Sequence, residues 1–191
     1  GYAWGTSIPR ATVMTTPTVI VAKPDGTADE SSTSDNICHH ITDSAGTDSY
    51  VGMTIYNITN STNCTVTAND DVSITCAAGS TMSWDNTDVY RLGPGPDQSG
   101  SFFYVGGAGT LQWPTTVGYS TCVMAEGTVA LKIDFGASVV FTGVLNAAVE
   151  STSAGDYIAA SGSTTDDFMC LHNKTTTVVK GLGKRGTWTQ E

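Results

Sequence analysis

The sequence predicts an all-β protein with two small antiparallel, sandwich- or barrel-like units behind an extended N-terminal arm. Composition is the first indication: the helix formers Lys, Arg, Glu and Leu are scarce, while Thr, Ser, Gly, Val and Asp are abundant. The second is a series of short segments that alternate apolar and polar residues between Gly-, Asn- and Asp-rich turns. The third is Gly93–Gly100, whose two Gly-Pro pairs are incompatible with a helix or a central strand.

These signals divide the 191 residues into four parts. We predict an N-terminal arm over residues 1–36, a first β module over 37–92, a Gly/Pro linker over 93–100 and a second β module over 101–191. Small Thr-rich modules bury little core alone, so we expect them to pack against each other or against further copies in an oligomer.

The arm combines apolar and acidic stretches. Thr12–Ala22 could form one strand, which Pro17 would confine to a sheet edge. Lys23–Asn36 is a Pro-Asp-Gly turn followed by a polar run, either a surface loop or a segment that orders on a neighbouring subunit. A solvent-exposed tail has little use for large apolar side chains, so those of the arm are candidate assembly contacts. They are Tyr2, Trp4, Ile8, Val13 and Met14.

Alternation in the first module predicts a meander of short, half-buried strands joined by tight turns. Trp84, Tyr90 and Leu92 should supply its largest buried areas. The predicted strands are Ile37–Asp43, Met53–Thr59, Cys64–Ala68, Val72–Cys76 and Trp84–Leu92.

The second module continues the strand pattern, with Leu145–Thr152 as the one segment where a short helical turn could form. Near its end, Lys180, Lys184 and Arg185 form a small basic spot that is either a turn between two strands or a docking contact to an acidic partner, with Lys184 and Arg185 as the candidate assembly contacts. The predicted strands are Ser101–Val105, Thr110–Pro114, Tyr119–Met124, Val129–Phe135, Ser138–Val144, Tyr157–Ala160, Phe168–His172, Thr176–Lys180 and Thr187–Thr189.

The sequence predicts no enzyme, no cofactor and no metal site. A formal net charge of −10 disfavours binding to nucleic acid, and no apolar stretch approaches the length of a membrane span. There is no G-x-S-x-G nucleophile motif. Cys38, His39 and His40 are consecutive, so on a strand they alternate between faces and make a poor ligand set. The carboxylates of Asp166-Asp167 are expected to form a turn, with a weak calcium site as the alternative.

Five widely spaced cysteines contain no C-x-x-C pair. Buried, unpaired thiols are therefore the default expectation. Cys64 and Cys76 could alternatively form a disulfide between two antiparallel strands.

Two stretches resemble virion modules of tailed bacteriophages and uncultured viruses. The first is VGMTIYNITNSTNCTVTANDDVSITC followed by MSWDNTDVYRLGPG, in which Thr87 stands where glycine is common. The second begins with the strand TLQWP over 110–114, continues from Gly118 to Asp134 and ends with Gly183 to Thr189. Together they cover about two thirds of the chain.

This resemblance implies a structural protein that binds the surface of a virus particle, as a capsid decoration or cement protein that stabilises the head. The implied partners are the major capsid protein or other virion subunits, the implied assembly is a homotrimer, and the implied location is the virion, assembled in the host cytoplasm. One alternative is a tail-fibre or receptor-binding module in which exposed aromatics such as Trp113 or Tyr119 stack on sugar rings. Another is a secreted carbohydrate-active enzyme or binding domain.

Overall fold

A computed structural model of the chain shows an all-β architecture, which confirms the predicted fold class. It describes residues 18–29, 37–39, 49–80, 82–125, 129–136, 138–145, 148–151, 157–160, 167–186 and 188–190. These residues form seventeen β-strands and one 3-10 turn at Pro96–Gln98, and they contain no α-helix. Among them, no helix has the length and apolar character that a membrane span requires.

The strands belong to three sheets. A six-stranded curled sheet has the order β2-β7-β4-β5-β6-β3, a seven-stranded sheet has the order β1-β8-β10-β15-β16-β12-β13, and a four-stranded sheet has the order β17-β14-β11-β9. The strand bounds are β1 Thr18–Val21, β2 Asp25–Thr27, β3 Ile37–His39, β4 Thr54–Asn57, β5 Thr62–Asn69, β6 Ser73–Cys76, β7 Val89–Gly93, β8 Phe102–Val105, β9 Gly109–Gln112, β10 Ser120–Ala125, β11 Leu131–Asp134, β12 Val140–Leu145, β13 Ala148–Ser151, β14 Tyr157–Ala160, β15 Asp167–Thr175, β16 Val178–Arg185 and β17 Trp188–Gln190.

The six-stranded sheet contains β3 to β7, from residues 37–93, and β2, from the segment predicted as an arm. In β5 the burial alternates, so that Cys64 and Val66 face the core while their neighbours face solvent. Trp84, Tyr90 and Leu92 are fully buried, as the sequence predicts. The buried carboxylate of Asp88 accepts hydrogen bonds from the Asn57 and Asn60 side chains and from the Asp85 backbone N–H. These bonds satisfy a buried charge, which is otherwise costly.

The seven- and four-stranded sheets form the second unit, and aromatic side chains pack between them. Trp113 follows β9 and meets the Phe135 ring edge-on, with 6.2 Å between centroids. Phe135 follows β11 and stacks on Phe141 of β12, with 5.9 Å between centroids. The core therefore spans both sheets, which is the packing of a β-sandwich.

Strand pairing across the sheets is mixed. Parallel pairs join β1 to β8, β8 to β10, β9 to β11 and β12 to β16. Within residues 1–36, predicted as an arm, β1 joins the seven-stranded sheet and β2 joins the six-stranded sheet. Residues 18–27 thus contribute one strand to each unit.

Two local predictions are wrong. Within Leu145–Thr152, predicted as a helical turn, β13 pairs antiparallel with β12, because a neighbouring strand satisfies its backbone groups better than an isolated turn could. The default of unpaired thiols fails as well, since disulfides join Cys64 to Cys76 and Cys122 to Cys170. Cys38 is a buried thiol.

Candidate assembly face and inter-unit groove

The face of the seven-stranded sheet that points away from the core carries a row of apolar side chains in register. Tyr104 of β8 lies opposite Ile20 of β1 and opposite Met124 of β10. Met124 in turn lies opposite Phe168 of β15, and Phe168 lies opposite Arg185 of β16. We call these five residues the outer row.

The outer row is accessible to a partner. The side chain of Ile20 is 58% exposed, while Tyr104, Met124 and Phe168 are half-buried. The residues between them in sequence, such as Phe103 and Val123, are fully buried. This alternation follows from the two-residue repeat of a strand, which directs neighbouring side chains to opposite faces. The four apolar side chains therefore lie side by side across adjacent strands on one face of the sheet.

A second row beside the outer row contains a disulfide. Cys122 lies directly opposite Cys170, with 3.9 Å between their Cα atoms, and Phe102 lies opposite Cys122 on the other side. Cys122 and Cys170 are half-buried. The bond links β10 to β15 covalently and fixes the register in which Met124 and Phe168 are neighbours.

The structure separates Lys184 from Arg185, the two basic residues predicted as assembly contacts. Arg185 is exposed and ends the outer row. Lys184 lies opposite Met169 and lines a small cavity of about 120 Å³ next to Phe141. Only Arg185 is therefore placed to contact a partner of the outer row. The predicted arm contacts Tyr2, Trp4, Ile8, Val13 and Met14 lie outside the described residues; the described chain begins at β1, the edge strand of this same sheet.

A groove with both polar and apolar lining runs between the two units. It consists of two adjoining cavities, of about 330 and 400 Å³, which share Tyr56 and Asn63. The first is bordered by prolines and threonines: Thr54, Thr65, Pro94, Pro114, Thr115 and Thr116. The second is bordered by Ser61, Thr62, Arg91, Gln112 and Asp134. We call the two cavities together the inter-unit groove.

An ion pair and hydrogen bonds connect polar side chains in the inter-unit groove. Arg91 of β7 forms an ion pair with Asp134 of β11, and its guanidinium also donates to Gln112 Oε1 at 3.3 Å. Gln112 Nε2 donates to the Asp134 backbone carbonyl at 3.0 Å. A second contact between the units is the hydrogen bond from Thr110 N to Asp25 Oδ2, 2.8 Å long. The predicted linker is buried only in its first three residues, Gly93, Pro94 and Gly95, whereas Pro96, Asp97 and Ser99 are exposed.

Tyr56 is the aromatic residue of the groove, and sequence reasoning missed it. The prediction that Trp113 or Tyr119 is exposed is wrong, because their side chains are 1% and 2% exposed. The available signal was the alternation of β4, in which Tyr56 lies on the opposite face from the buried Ile55 and Asn57. Burial raises the pKa of the Tyr56 phenol, while a hydrogen bond with the Thr54 side chain lowers it by less. The phenol therefore remains protonated at neutral pH.

A serine and a histidine side chain meet on the seven-stranded sheet. Ser120 Oγ and His172 Nδ1 are 2.6 Å apart on the exposed face of β10 and β15. This contact is a surface hydrogen bond, and it lacks the third, orienting group of a nucleophilic triad in the contacts described. Within the described ranges, no group of three or more His, Cys, Asp or Glu side chains could hold a metal ion.

Comparison with protein families, with curated proteins and with solved structures found no match to this chain.

Proposed function

We propose that this chain is a structural virion protein that binds the particle surface through its outer row, as a capsid decoration protein. The observation that carries the proposal is the in-register row from Ile20 to Phe168. Four apolar side chains on four adjacent strands leave a continuous apolar strip in solvent. The resemblance of the sequence to virion modules supports a particle subunit as the partner.

The exposed sheet face is too small to form a stable interface alone, so we propose that the N-terminal arm also contacts the partner. Five strands spaced about 4.8 Å apart, each with about four residues rising 3.3 Å, present on the order of 250 Å². A stable interface buries about 800 Å² per partner. We propose that residues 1–17, which carry Tyr2, Trp4 and Met14 and lead directly into β1, supply contacts beyond the sheet face.

The disulfides place a condition on this function. Host cytoplasm keeps thiols reduced, so a protein assembled there would form Cys122–Cys170 only after release. The chain would first dock in its reduced form, and oxidation would then lock the register of the strands that present the outer row.

Quantitative mass spectrometry of purified particles tests the proposal. A decoration protein is expected at a copy number comparable with that of the major capsid protein. A handful of copies per particle would contradict decoration and favour a tail location. Light scattering of the isolated protein then measures its oligomeric state, for which a trimer is the expected result.

Paired variants test whether the outer row is the binding surface. Tyr104→Ser with Phe168→Ser is expected to abolish attachment to particles, because both substitutions remove apolar area at the centre of the row. The matched control is Val72→Ser, which removes an apolar side chain that is 52% exposed in the turn before β6. Equal loss of attachment in both proteins would rule out a specific role for the row.

A further inference from the structure

We propose that the inter-unit groove is a binding site for an uncharged oligosaccharide. The site does not depend on the function proposed above, because the groove and the outer row share no residue. Its walls come from both units and from the segment between them. Each of its two cavities falls within the volume range typical of sites for small molecules.

Preorganisation is the first argument. Arg91, Gln112 and Asp134 restrain one another through the ion pair and two hydrogen bonds, so their positions do not depend on a ligand. Gly93 approaches the Tyr56 ring so closely that a Cβ at that position would lie 3.0 Å from Cε2. Side chains held in this way lose little conformational entropy on binding, which favours affinity.

The second argument is the chemistry of the walls. A sugar ring has hydroxyl groups at its edge and C–H groups on its faces. The groove offers the amides of Asn63 and Gln112 and several threonine and serine hydroxyls, which donate and accept hydrogen bonds. Tyr56 adds an aromatic body with a polar tip at the junction of the two cavities, where an apolar sugar face could rest.

Charge provides the third argument. Asp134 neutralises Arg91, so the pair presents dipoles and no net charge. The protein as a whole carries a net charge of −10, which repels sulfated, phosphorylated or sialylated ligands. These features favour a neutral glycan over an anionic one.

An NMR titration locates the site. ¹⁵N-labelled protein is titrated to 10 mM with neutral di- to hexasaccharides of glucose, galactose, mannose and N-acetylhexosamines, and in parallel with sialyllactose and a proline- and threonine-rich peptide. The proposal expects at least one neutral sugar to shift the amide signals of residues 54–65, 91–96, 112–116 and 134–136. No shift with any neutral sugar, shifts confined to other residues, or binding of only the anionic sugar or the peptide would overturn it.

Variants then test the named residues with the sugar that binds. Tyr56→Ala and the surface substitution Asn63→Ala are each expected to weaken binding about tenfold or more, whereas Tyr56→Phe keeps the ring and should remain within about threefold of wild type. The control is Tyr104→Ala, which removes a half-buried tyrosine from the outer row and should bind normally. Wild-type affinity in both Tyr56→Ala and Asn63→Ala would refute the site. Loss of sugar binding in the groove variants with normal particle attachment would separate this proposal from the assembly function.

Discussion

Arg91 and Asp134 lie 43 residues apart and join the six-stranded sheet to the four-stranded sheet through an ion pair. Their side chains are 17% and 11% exposed, so the pair is largely withdrawn from water. Asp134 also accepts a hydrogen bond at Oδ1 from the Gly136 N–H, 2.6 Å long. The contact therefore couples the two units while it shapes the inter-unit groove.

Removal of one partner of this pair should destabilise the protein. We expect Arg91→Met to lower the free energy of unfolding by about 1.5–3 kcal/mol, because it leaves the Asp134 carboxylate partly desolvated without its cation. Urea unfolding measures the change. In the double variant Arg91→Met/Asp134→Leu the loss should be smaller than in the single variant, since no charge is then left behind. Additive losses in a double-mutant cycle would show that the two side chains do not interact.

Thr87 is placed in a backbone conformation that suits glycine. It has a φ of 79° and is the third residue of the turn in which Asp88 N donates to Asp85 O at 2.9 Å. A positive φ at that position favours glycine, and a β-branched residue there is strained by about 1–2 kcal/mol.

Thr87→Gly should therefore stabilise the protein. The relief of strain is partly offset by the greater entropy of glycine in the unfolded chain, about 0.4–1 kcal/mol. We expect a net gain of about 0.5–1 kcal/mol and a rise in Tm of about 2 °C by calorimetry. The control is Thr65→Gly in β5, which lies in regular strand and should lower Tm. A fall in Tm for both variants would refute the argument.

Local features of this fold could be predicted from the sequence, and long-range ones could not. Alternation predicted β4, β5 and β6 because the burial of a strand is recorded in its own residues. The parallel pairing of β1 with β8 joins residues more than 80 positions apart, and alternation within each strand carries no information about its partner. The inter-unit groove could not be predicted for the same reason, because Tyr56, Arg91 and Asp134 come together only in the folded chain.

The cysteines show this limit most clearly. Cys64 and Cys76 are close in sequence, so a bridge between two adjacent strands could be considered. Cys122 and Cys170 are 48 residues apart, and only the pairing of β10 with β15 brings them together. Spacing alone gave no signal for that bond.

The two disulfides should differ in their contribution to stability. Loop-closure entropy gives about 3 kcal/mol for the 12-residue separation of Cys64–Cys76 and about 4 kcal/mol for the 48-residue separation of Cys122–Cys170. Urea unfolding under oxidising conditions would compare the free energy of unfolding of Cys64→Ala/Cys76→Ala with that of Cys122→Ala/Cys170→Ala. The second pair is expected to lose more stability. Reductant should lower the Tm of wild type and leave unchanged the Tm of the variant in which all four of these cysteines are alanine. An equal change in Tm for both proteins would contradict the presence of the two disulfides.

The Tyr119 hydroxyl is buried, and within the described part of the chain it has no hydrogen-bond partner. Tyr119→Phe should raise the free energy of unfolding at pH 8 by about 1 kcal/mol, since an unsatisfied buried polar group costs that much or more. Tyr50→Phe is the control: it removes the hydroxyl that accepts a hydrogen bond from Lys23 N at 3.3 Å and should be destabilising.

The pH dependence of the free energy of unfolding shows why Tyr119→Phe is more stable than wild type. It distinguishes the removal of a desolvated hydroxyl from a change in packing. Burial raises the pKa of the Tyr119 phenol above its ordinary value of 10.0, and the nearby Tyr56 raises it further. Above about pH 10 the unfolded chain therefore releases a proton that the folded chain retains, so stability falls as pH rises toward the folded pKa. Phenylalanine has no such proton. The advantage of Tyr119→Phe over wild type in urea unfolding should consequently be larger at pH 10.5 than at pH 8, and an advantage that stays constant or shrinks would contradict this origin.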